Sequence, residues 1–293
     1  MHVFALDPLF FDGFDFGVLT IMAVKALIAF TFVIVGVILL IWFERKVISD
    51  MQNRIGPNRA GPWGLLQTLA DGIKLIFKED SNPREADKLV FRLAPYLSVA
   101  PAFLTFCIVP IGGVFHGGDD GAVKIFGNTT FLQVADPPIG VLFLLAMSSV
   151  AVYGVMLAGW ASGSKYPLLG AVRASAQMVS YEAALGLSVV TVILVTGSLS
   201  THDIVASQAG RIVDWNLLAT GIVPFLIFCV AATAELNRPP FDLVEAEQEL
   251  VGGFQTEYSS IRFGMFYLAE FMNLITMSAI IITLFLGGPA GPI

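Results

Sequence analysis

Residues 234–259, AELNRPPFDLVEAEQELVGGFQTEYS, form a strongly acidic stretch in an otherwise apolar chain. The stretch holds six of the 23 acidic residues and a single basic residue, Arg238. The six are Glu235, Asp242, Glu245, Glu247, Glu249 and Glu257. Burial among apolar helices would raise the pKa of such carboxyl groups toward neutrality, where a carboxyl group can take up and release protons. The composition of this stretch therefore predicts proton exchange, with a solvated acidic loop as the alternative.

Turn residues divide the stretch into two helical pieces. Pro239 and Pro240 are predicted to end the preceding helix, because proline removes a backbone donor and restricts the residue before it. Asp242 stands three residues before Glu245, the spacing of a pair that starts a helix, and a glycine pair further on would end it. Asp242, Glu245 and Glu249 would then share one face of a short acidic loop helix.

Two further carboxyl groups, Glu182 and Glu270, lie inside apolar segments. An ionised carboxylate in hydrocarbon costs several kcal/mol, so such groups usually face a wet interior and mark ion or proton routes. The alternative is a structural carboxyl group near the lipid headgroups, or a protonated one bonded to a neighbouring helix. We favour the functional interpretation for both residues.

Six segments have about the 20 mostly apolar residues needed to cross a hydrocarbon core about 30 Å thick. They cover residues 18–42, 93–115, 139–160, 173–197, 216–236 and 263–286. Segment 63–78 is shorter and has an apolar stripe at helical spacing, so it is predicted to lie in the membrane interface. The stripe consists of Leu66, Leu69, Ile73, Ile76 and Phe77. The sequence thus predicts an all-α polytopic membrane protein, a single membrane domain with six transmembrane helices, an interfacial amphipathic helix and the short acidic loop helix.

Composition narrows the chemistry that the chain can perform. Charged residues make up 13% of the chain, against about 25% in soluble domains, and hydrophobic residues make up 56%. The net charge of −7 offers no basic surface for nucleic acid. Cys107 and Cys229 alone cannot supply the usual four or so thiolates of an iron–sulfur cluster, and no Cys/His metal spacing occurs. The sequence predicts no metal site, and electron carriers would belong to partners.

Lysine and arginine are distributed unequally between the loops. Twelve lie in the three loops on one side of the predicted membrane, and two, Lys124 and Arg211, lie on the other side. Because short positive loops stay in the cytoplasm, the N-terminus is predicted to face outward and the acidic stretch to face the cytoplasm. The first residues lack the basic region of a cleavable signal peptide, so the first apolar segment is predicted to be a retained anchor.

Three long segments, in the same order, carry a resemblance to a known family. They are ERKVISDMQNRIGPNRAGPWGLLQTLADGIKLIFKE, AGWASGSKYPLLGAVRASAQMVSYE and AELNRPPFDLVEAEQELVGGFQTEYS. These segments closely resemble the loops of the family of the H subunit of NADH-quinone oxidoreductase, a membrane-arm component of respiratory complex I. The resemblance runs from Phe30 or so to the end of the chain.

The resemblance implies that the chain anchors the peripheral arm of complex I and forms much of the tunnel for its substrate, quinone. The tunnel group that the motifs imply is Glu44, Arg45, Arg54, Arg59, Asp71 and Lys74. The implied proton path, which couples quinone reduction to proton translocation, is Glu182, Glu235, Asp242, Glu245, Glu247, Glu249, Glu257 and Glu270. FMN and Fe–S clusters would lie in partner subunits and none in this chain. The implied partners are quinone-site peripheral subunits, an Fe–S subunit, antiporter-like membrane subunits and membrane lipid.

The chain departs from the family in one respect. Family members usually have eight transmembrane helices, whereas six are predicted here, so a fragment or one part of a split subunit is expected. Three other functions remain as alternatives: the equivalent subunit of a membrane-bound hydrogenase or another quinone-reducing complex, a stand-alone proton-coupled transporter using Glu182 and Glu270, and a passive scaffold. No internal repeat supports the transporter. The alanine-rich composition favours a bacterial plasma membrane.

Overall fold

Long apolar runs form most of the helices in the computed structural model, which describes residues 7–10, 15–115, 121–125, 127–242 and 247–291. Within these residues, five helices are long and apolar enough to cross a membrane. They are α1 (Phe16–Met51), α3 (Lys88–Phe106), α4 (Gly140–Ala161), α5 (Lys165–Thr196) and α10 (Ser260–Phe285). The chain is therefore an all-α, multi-pass membrane protein, as the sequence predicts.

Shorter elements connect these helices. The short α-helices are α2 (Gln67–Phe77), α6 (Thr201–Ser207), α7 (Asn216–Ala219), α8 (Ile222–Glu235) and α9 (Glu247–Leu250). Single 3-10 turns occupy Pro8–Phe10, Pro62–Gly64, Ile212–Asp214, Gly253–Gln255 and Gly288–Ala290. One antiparallel hairpin, β1 (Ala122–Ile125) and β2 (Asn128–Phe131), pairs Ala122 with Phe131 and was not predicted from the sequence.

Two predicted spans differ from the observed helices. The segment 216–236 is divided into α7 and α8, because Gly221 between them has φ 83°, a backbone conformation outside the helical range. This leaves 14 residues in α8. The segment 93–115 is helical only to Phe106, and Pro110 follows where a continued helix would need a backbone donor. Beyond Pro110, Gly112 forms an isolated antiparallel bridge with Leu132, the residue after β2.

Glycines bring α4 close to both of its neighbouring helices. A Cβ atom at Gly154 would lie 2.3 Å from Oγ of Ser98 on α3. A Cβ atom at Gly159 would lie 2.3 Å from Cβ of Ala171 and 2.4 Å from the carbonyl oxygen of Pro167, both on α5. Small residues at such positions let transmembrane helices approach each other closely, so α3, α4 and α5 form one tightly packed unit.

The transmembrane helices share one apolar core, to which Val33, Phe106, Leu185, Phe228 and Met272 contribute fully or almost fully buried side chains. A second buried cluster lies beside the segment after α9. There the ring of Tyr258 stacks on Phe91 with 4.0 Å between centroids, and the Tyr258 hydroxyl donates to the Phe91 carbonyl oxygen at 3.1 Å. This cluster fixes the far end of the acidic stretch against α3.

A buried ion pair attaches the start of the described chain to α1. Lys25 Nζ lies 2.8 Å from Oδ2 of Asp7, and the two side chains are only 10% and 8% exposed. Lys25 Nζ also donates to Oγ1 of Thr130 on β2 at 2.5 Å, and Thr130 lies within 3.0 Å of both Asp7 oxygens. The three side chains join α1, the hairpin and the N-terminal turn.

Asp136, in the segment between β2 and α4, is buried beside α6. Its carboxyl oxygens lie 2.8 and 2.9 Å from Oγ of Ser200, the residue that caps α6. Burial raises the pKa of Asp136 from its ordinary 3.8 to about 7; the Ser200 hydrogen bond opposes this change, and the negative charge of Asp203 adds to it. The group therefore binds its proton more tightly in the folded chain than in the unfolded chain.

This proton affinity predicts a pH-dependent stability. The contribution of Asp136 is fully present below about pH 4 and is lost as the pH rises through about 7, by up to about 1.4 kcal/mol per pH unit. Asp136→Asn keeps an acceptor for Ser200 and removes the titration. The measurement is the melting temperature of the wild type minus that of the variant, both in mild detergent. We expect this difference to decrease as the pH rises from about 4 to about 7 and to stay constant above that. A difference that does not change with pH would contradict the assignment.

Candidate functional site

Two adjacent serines near the middle of α4 each contact a carboxyl group on a different helix. Ser148 Oγ donates to Oε1 of Glu235, the last residue of α8. Ser149 Oγ donates to Oε1 of Glu182 on α5. Consecutive residues of a helix point about 100° apart, which is why one pair of serines can hold two carboxyl groups on two neighbours. Helix α4 thus positions Glu182 on α5 and Glu235 at the end of α8.

Glu235 is the more deeply buried of the two, with 6% of the residue exposed, whereas Glu182 is half-buried. Oε2 of Glu235 has no hydrogen-bond partner among the described residues. Glu182 and Glu235 are held by adjacent serines of α4. A buried carboxyl oxygen with unused hydrogen-bonding capacity is costly unless it binds water or carries a proton.

A cavity of about 170 Å³ adjoins Glu235, which is large enough for several water molecules. Three of the predicted carboxyl groups line it: Glu235, Asp242 and Glu270. Its other polar lining residues are Ser98, Asn237, Arg238, Gln255 and Asn273. A smaller cavity of about 30 Å³ shares Glu235 and Asn273 with the first and includes Ser148. Glu235 therefore lies at the junction of the two cavities.

The segment that follows α8 is held in place from α5. The side-chain amide nitrogen of Gln177 lies 2.8 Å from the carbonyl oxygen of Ala234, 3.0 Å from Oδ1 of Asn237 and 2.9 Å from the carbonyl oxygen of Phe241. Asn237 has φ 53°, a conformation that asparagine tolerates better than most residues. This turn directs the next residue, Arg238, into the cavity wall.

Arg238 connects the cavity with α1 and α10. Its Nη1 donates to Oε1 of Glu44 on α1 at 3.0 Å, and its Nε lies 2.9 Å from Oε1 of Glu270 on α10. The guanidinium also lies over the ring of Phe271, with 4.4 Å from Cζ to the centroid. The arginine is 19% exposed, so both ion pairs are partly shielded from water.

Two other carboxyl groups of the acidic stretch, Glu249 and Glu257, do not line this cavity. Glu249 is 65% exposed and pairs with Arg173 on α5 at 2.7 Å, so it has a basic partner from outside the stretch. Glu257 is half-buried. Glu245 lies outside the described residues, and Glu247 is described only as the first residue of α9. The shared face predicted for Asp242, Glu245 and Glu249 therefore stays a prediction.

Comparison with known proteins gives the arrangement its context. Residues 24–293 match the family model described as NADH dehydrogenase. The chain belongs to the NADH dehydrogenase family. It is 50% identical over 289 residues to the H subunit of NADH-quinone oxidoreductase from Frankia casuarinae, an alignment that covers 98% of this chain and 59% of that protein.

Two further relatives carry the same name. The protein of Frankia alni is 52% identical over 278 residues, which cover 94% of this chain and 59% of the relative. The protein of Streptomyces avermitilis is 50% identical over 272 residues, which cover 93% of this chain and 58% of the relative. The chain thus spans about 59% of the length of these members of the NADH dehydrogenase family.

In this member of the NADH dehydrogenase family, the first-loop residues implied to line a quinone tunnel do not form one cluster. Arg45 Nη1 pairs with Oδ2 of Asp71 on α2 at 2.6 Å, while the preceding residue, Glu44, faces Arg238 instead. The remaining three residues are exposed: Arg54, Arg59 and Lys74. Two successive residues of α1 therefore contact different parts of the structure: Arg45 contacts the amphipathic helix, and Glu44 contacts Arg238 at the cavity.

The amphipathic helix α2 is attached to the chain near both of its ends. Trp42 Nε1 donates to the carbonyl oxygen of Trp63 at 3.0 Å, and Ser260 Oγ lies 2.9 Å from the carbonyl oxygens of Leu75 and Lys78. The predicted apolar stripe is 46–84% exposed along its whole length. Its residues are Leu66, Leu69, Ile73, Ile76 and Phe77. An outward-facing apolar stripe suits a helix that lies in the membrane interface.

Sequence reasoning missed Ser148, Ser149, Gln177 and Arg238 as members of the site. A serine pair inside a long apolar run was a visible signal, because buried hydroxyl groups need partners. Arg238 was visible as the single base of the acidic stretch, but its partners lie on distant helices. Only the fold of this member of the NADH dehydrogenase family shows which residues Arg238 pairs with.

Proposed function

We propose that this chain is the membrane subunit of a proton-pumping NADH:quinone oxidoreductase. In this role it contributes to the quinone tunnel and passes protons along buried carboxyl groups when quinone is reduced. Family membership and the names of the relatives support the complex. The single observation that carries the proton path is Glu235, a buried carboxyl group that lines two cavities and is held by the serine next to the one that holds Glu182.

The proposed proton path runs from Asp242 and Glu270 through the larger cavity to Glu235, and then to Glu182. Ser148 and Ser149 position the last two carboxyl groups on adjacent residues of α4. Because two nearby carboxylates repel each other, a proton that arrives on one changes the proton affinity of the other. This arrangement lets a change of charge at one end of the site move a proton at the other end.

The proposed quinone entry lies beside α2. Its exposed apolar stripe gives a surface for the apolar tail of quinone, and the Arg45–Asp71 ion pair joins this helix to α1. FMN and Fe–S clusters lie in partner subunits of the complex, and quinone is the substrate. The orientation proposed from the positive loops places the N-terminus outside a bacterial plasma membrane and the acidic stretch on the cytoplasmic side.

The test is Glu235→Gln in the intact complex that contains this chain. Glutamine fills the same space and still accepts a hydrogen bond from Ser148, but it cannot release a proton. We expect NADH-driven proton pumping per assembled complex to fall by about a hundredfold or more, since a positioned proton-transfer group typically contributes about 10²–10⁴-fold. Pumping is measured in proteoliposomes, and the amount of assembled complex by native gel.

Glu79→Gln is the matched control, because it removes the same charge from an exposed position in the first loop. We expect its pumping rate to equal that of the wild type. Glu182→Gln provides an independent second variant with the same expected loss as Glu235→Gln. Wild-type pumping in both the Glu235 and Glu182 variants would refute the proton path and leave a scaffold role.

A further inference from the structure

The guanidinium of Arg238 is incompletely used by its two ion pairs. Nη1 makes an aligned hydrogen bond to Glu44. Nε is at ion-pair distance from Glu270 but is not aligned for a hydrogen bond, and Nη2 has no hydrogen-bond partner among the described residues. Arginine has five N–H donors, so most of its capacity is unused although the side chain lines a cavity. The guanidinium can therefore strengthen its contact with either carboxyl group while the side chain continues to line the cavity.

Arg238 is shared between two carboxyl groups. Among the described residues, Glu44 and Glu270 both lie at ion-pair distance from the one guanidinium. The side chains of the two glutamates are 37% and 23% exposed, so water screens them only in part. In such surroundings each carboxylate gains from a full share of the cation, and the two compete for it.

We propose that Arg238 is a positioning residue that couples Glu44 to Glu270 by sharing one positive charge between them. When Glu270 takes up a proton, the guanidinium pairs more fully with Glu44. When Glu44 takes up a proton, the guanidinium pairs more fully with Glu270. The charge state at α1 is thereby transmitted to α10. The inference rests on the proposed function, in which Glu270 belongs to the proton path, and on the family resemblance, which implies that Glu44 belongs to the quinone tunnel.

Arginine suits this role better than lysine. Its planar fork presents donors on two sides at once, and here Nη1 faces one carboxylate while Nε faces the other. The ring of Phe271 under the guanidinium gives the plane a surface on which to turn. A lysine ammonium is a single point charge and would pair mainly with one of the two carboxylates.

The test compares four forms of the intact complex: wild type, Arg238→Met, Glu44→Gln and the double variant. The readout is the number of protons translocated per quinone reduced, measured in proteoliposomes together with the rate of quinone reduction. We expect each single variant to lower this ratio by about threefold or more, and the double variant to be no worse than the single variants, since coupled residues are non-additive.

A merely structural role gives a different result. Loss of packing would reduce the amount of assembled complex and lower both rates together, so the ratio of protons to quinone would not change. An unchanged ratio in Arg238→Met and Glu44→Gln would overturn the inference, as would independent effects that multiply in the double variant. Arg211→Met, which removes an 80% exposed arginine paired only with nearby Asp214 among the described residues, is the matched control and should leave the ratio unchanged.

Arg238→Lys covers the case in which Arg238→Met does not assemble. It keeps the positive charge, so we expect normal assembly but a lowered ratio of protons to quinone; a wild-type ratio would overturn the inference. Glu235→Gln, measured in parallel, separates the two proposals. If Glu235→Gln impairs pumping while the Arg238 and Glu44 variants keep the wild-type ratio, the proton path stands and the coupling role of Arg238 fails. If the Glu235→Gln variant pumps normally, the proposed proton path through Glu235 is wrong, and the coupling role of Arg238, which rests on it, is wrong as well.

Discussion

Replacing Lys25 by methionine is expected to lower the free energy of unfolding by about 3–5 kcal/mol, the usual cost of leaving one partner of a buried ion pair uncompensated. Asp7, its partner, is 8% exposed and would lose its counter-charge. Thr130 would still be hydrogen-bonded to Asp7, but a hydroxyl group cannot neutralise a carboxylate. Methionine has nearly the volume of lysine, so the loss would come from charge and not from a cavity.

The double variant Lys25→Met/Asp7→Asn should recover most of this loss. The side-chain amide oxygen of the new asparagine still accepts hydrogen bonds from the backbone N–H of Leu9 and from Thr130. Neither side chain of the former ion pair is then charged. The free energy of unfolding is measured by titration with SDS in mixed micelles. Arg211→Met, at an exposed ion pair, should cost less than about 1 kcal/mol. Equal stability of the Lys25 variant and the wild type would show that the ion pair does not hold this end of the chain.

Gly159→Val is expected to prevent normal packing of α4 on α5 and to destabilise the chain by about 3 kcal/mol or more, the upper range for overpacked cores. Even the first added carbon would meet the carbonyl oxygen of Pro167 at 2.4 Å and Cβ of Ala171 at 2.3 Å. A backbone oxygen cannot rotate away, so the two helices would have to separate. The expected result is a low yield of monodisperse protein in mild detergent and a lowered melting temperature.

Gly186→Ala on α5 is the matched control for this effect. A Cβ atom at Gly186 has no neighbour within 4 Å among the described residues, and alanine favours the helix by about 1 kcal/mol over glycine. We therefore expect the yield and melting temperature of this variant to equal or exceed those of the wild type. A Gly159→Val variant that behaves in the same way would mean that α4 and α5 are further apart than the structure describes.

Hydropathy predicted the helices that are continuous apolar runs. The segments 139–160 and 263–286 correspond closely to α4 (Gly140–Ala161) and α10 (Ser260–Phe285). It failed where a single backbone position decides the outcome, as at Gly221, since hydropathy averages over a window and does not register one glycine in a non-helical conformation. The amphipathic helix, predicted over 63–78, is observed as Gln67–Phe77, because a 3-10 turn precedes it.

The site was only partly predictable for a related reason. Glu182, Glu235 and Glu270 stand out in the sequence because charged residues are rare in apolar segments. Arg238 and Glu44, in contrast, are separated by 194 residues, and nothing local links them. The burial of Glu235 and the exposure of Glu249 also depend on the packing of α8 and α9, which the charge pattern of the stretch does not determine.

The shortness of α8 has an electrical consequence. Its 14 residues extend about 21 Å, about 9 Å less than a hydrocarbon core of about 30 Å. If Ile222 lies at one boundary of the layer and α8 runs along the membrane normal, Glu235 at the other end of the helix lies about a third of the way across the layer. Moving one charge through the full layer is worth about 2.3 kcal/mol for every 100 mV, so reaching this depth is worth about a third of that. If Glu235 carries protons as proposed, we expect its protonation to be an electrogenic step whose occupancy responds to the membrane voltage.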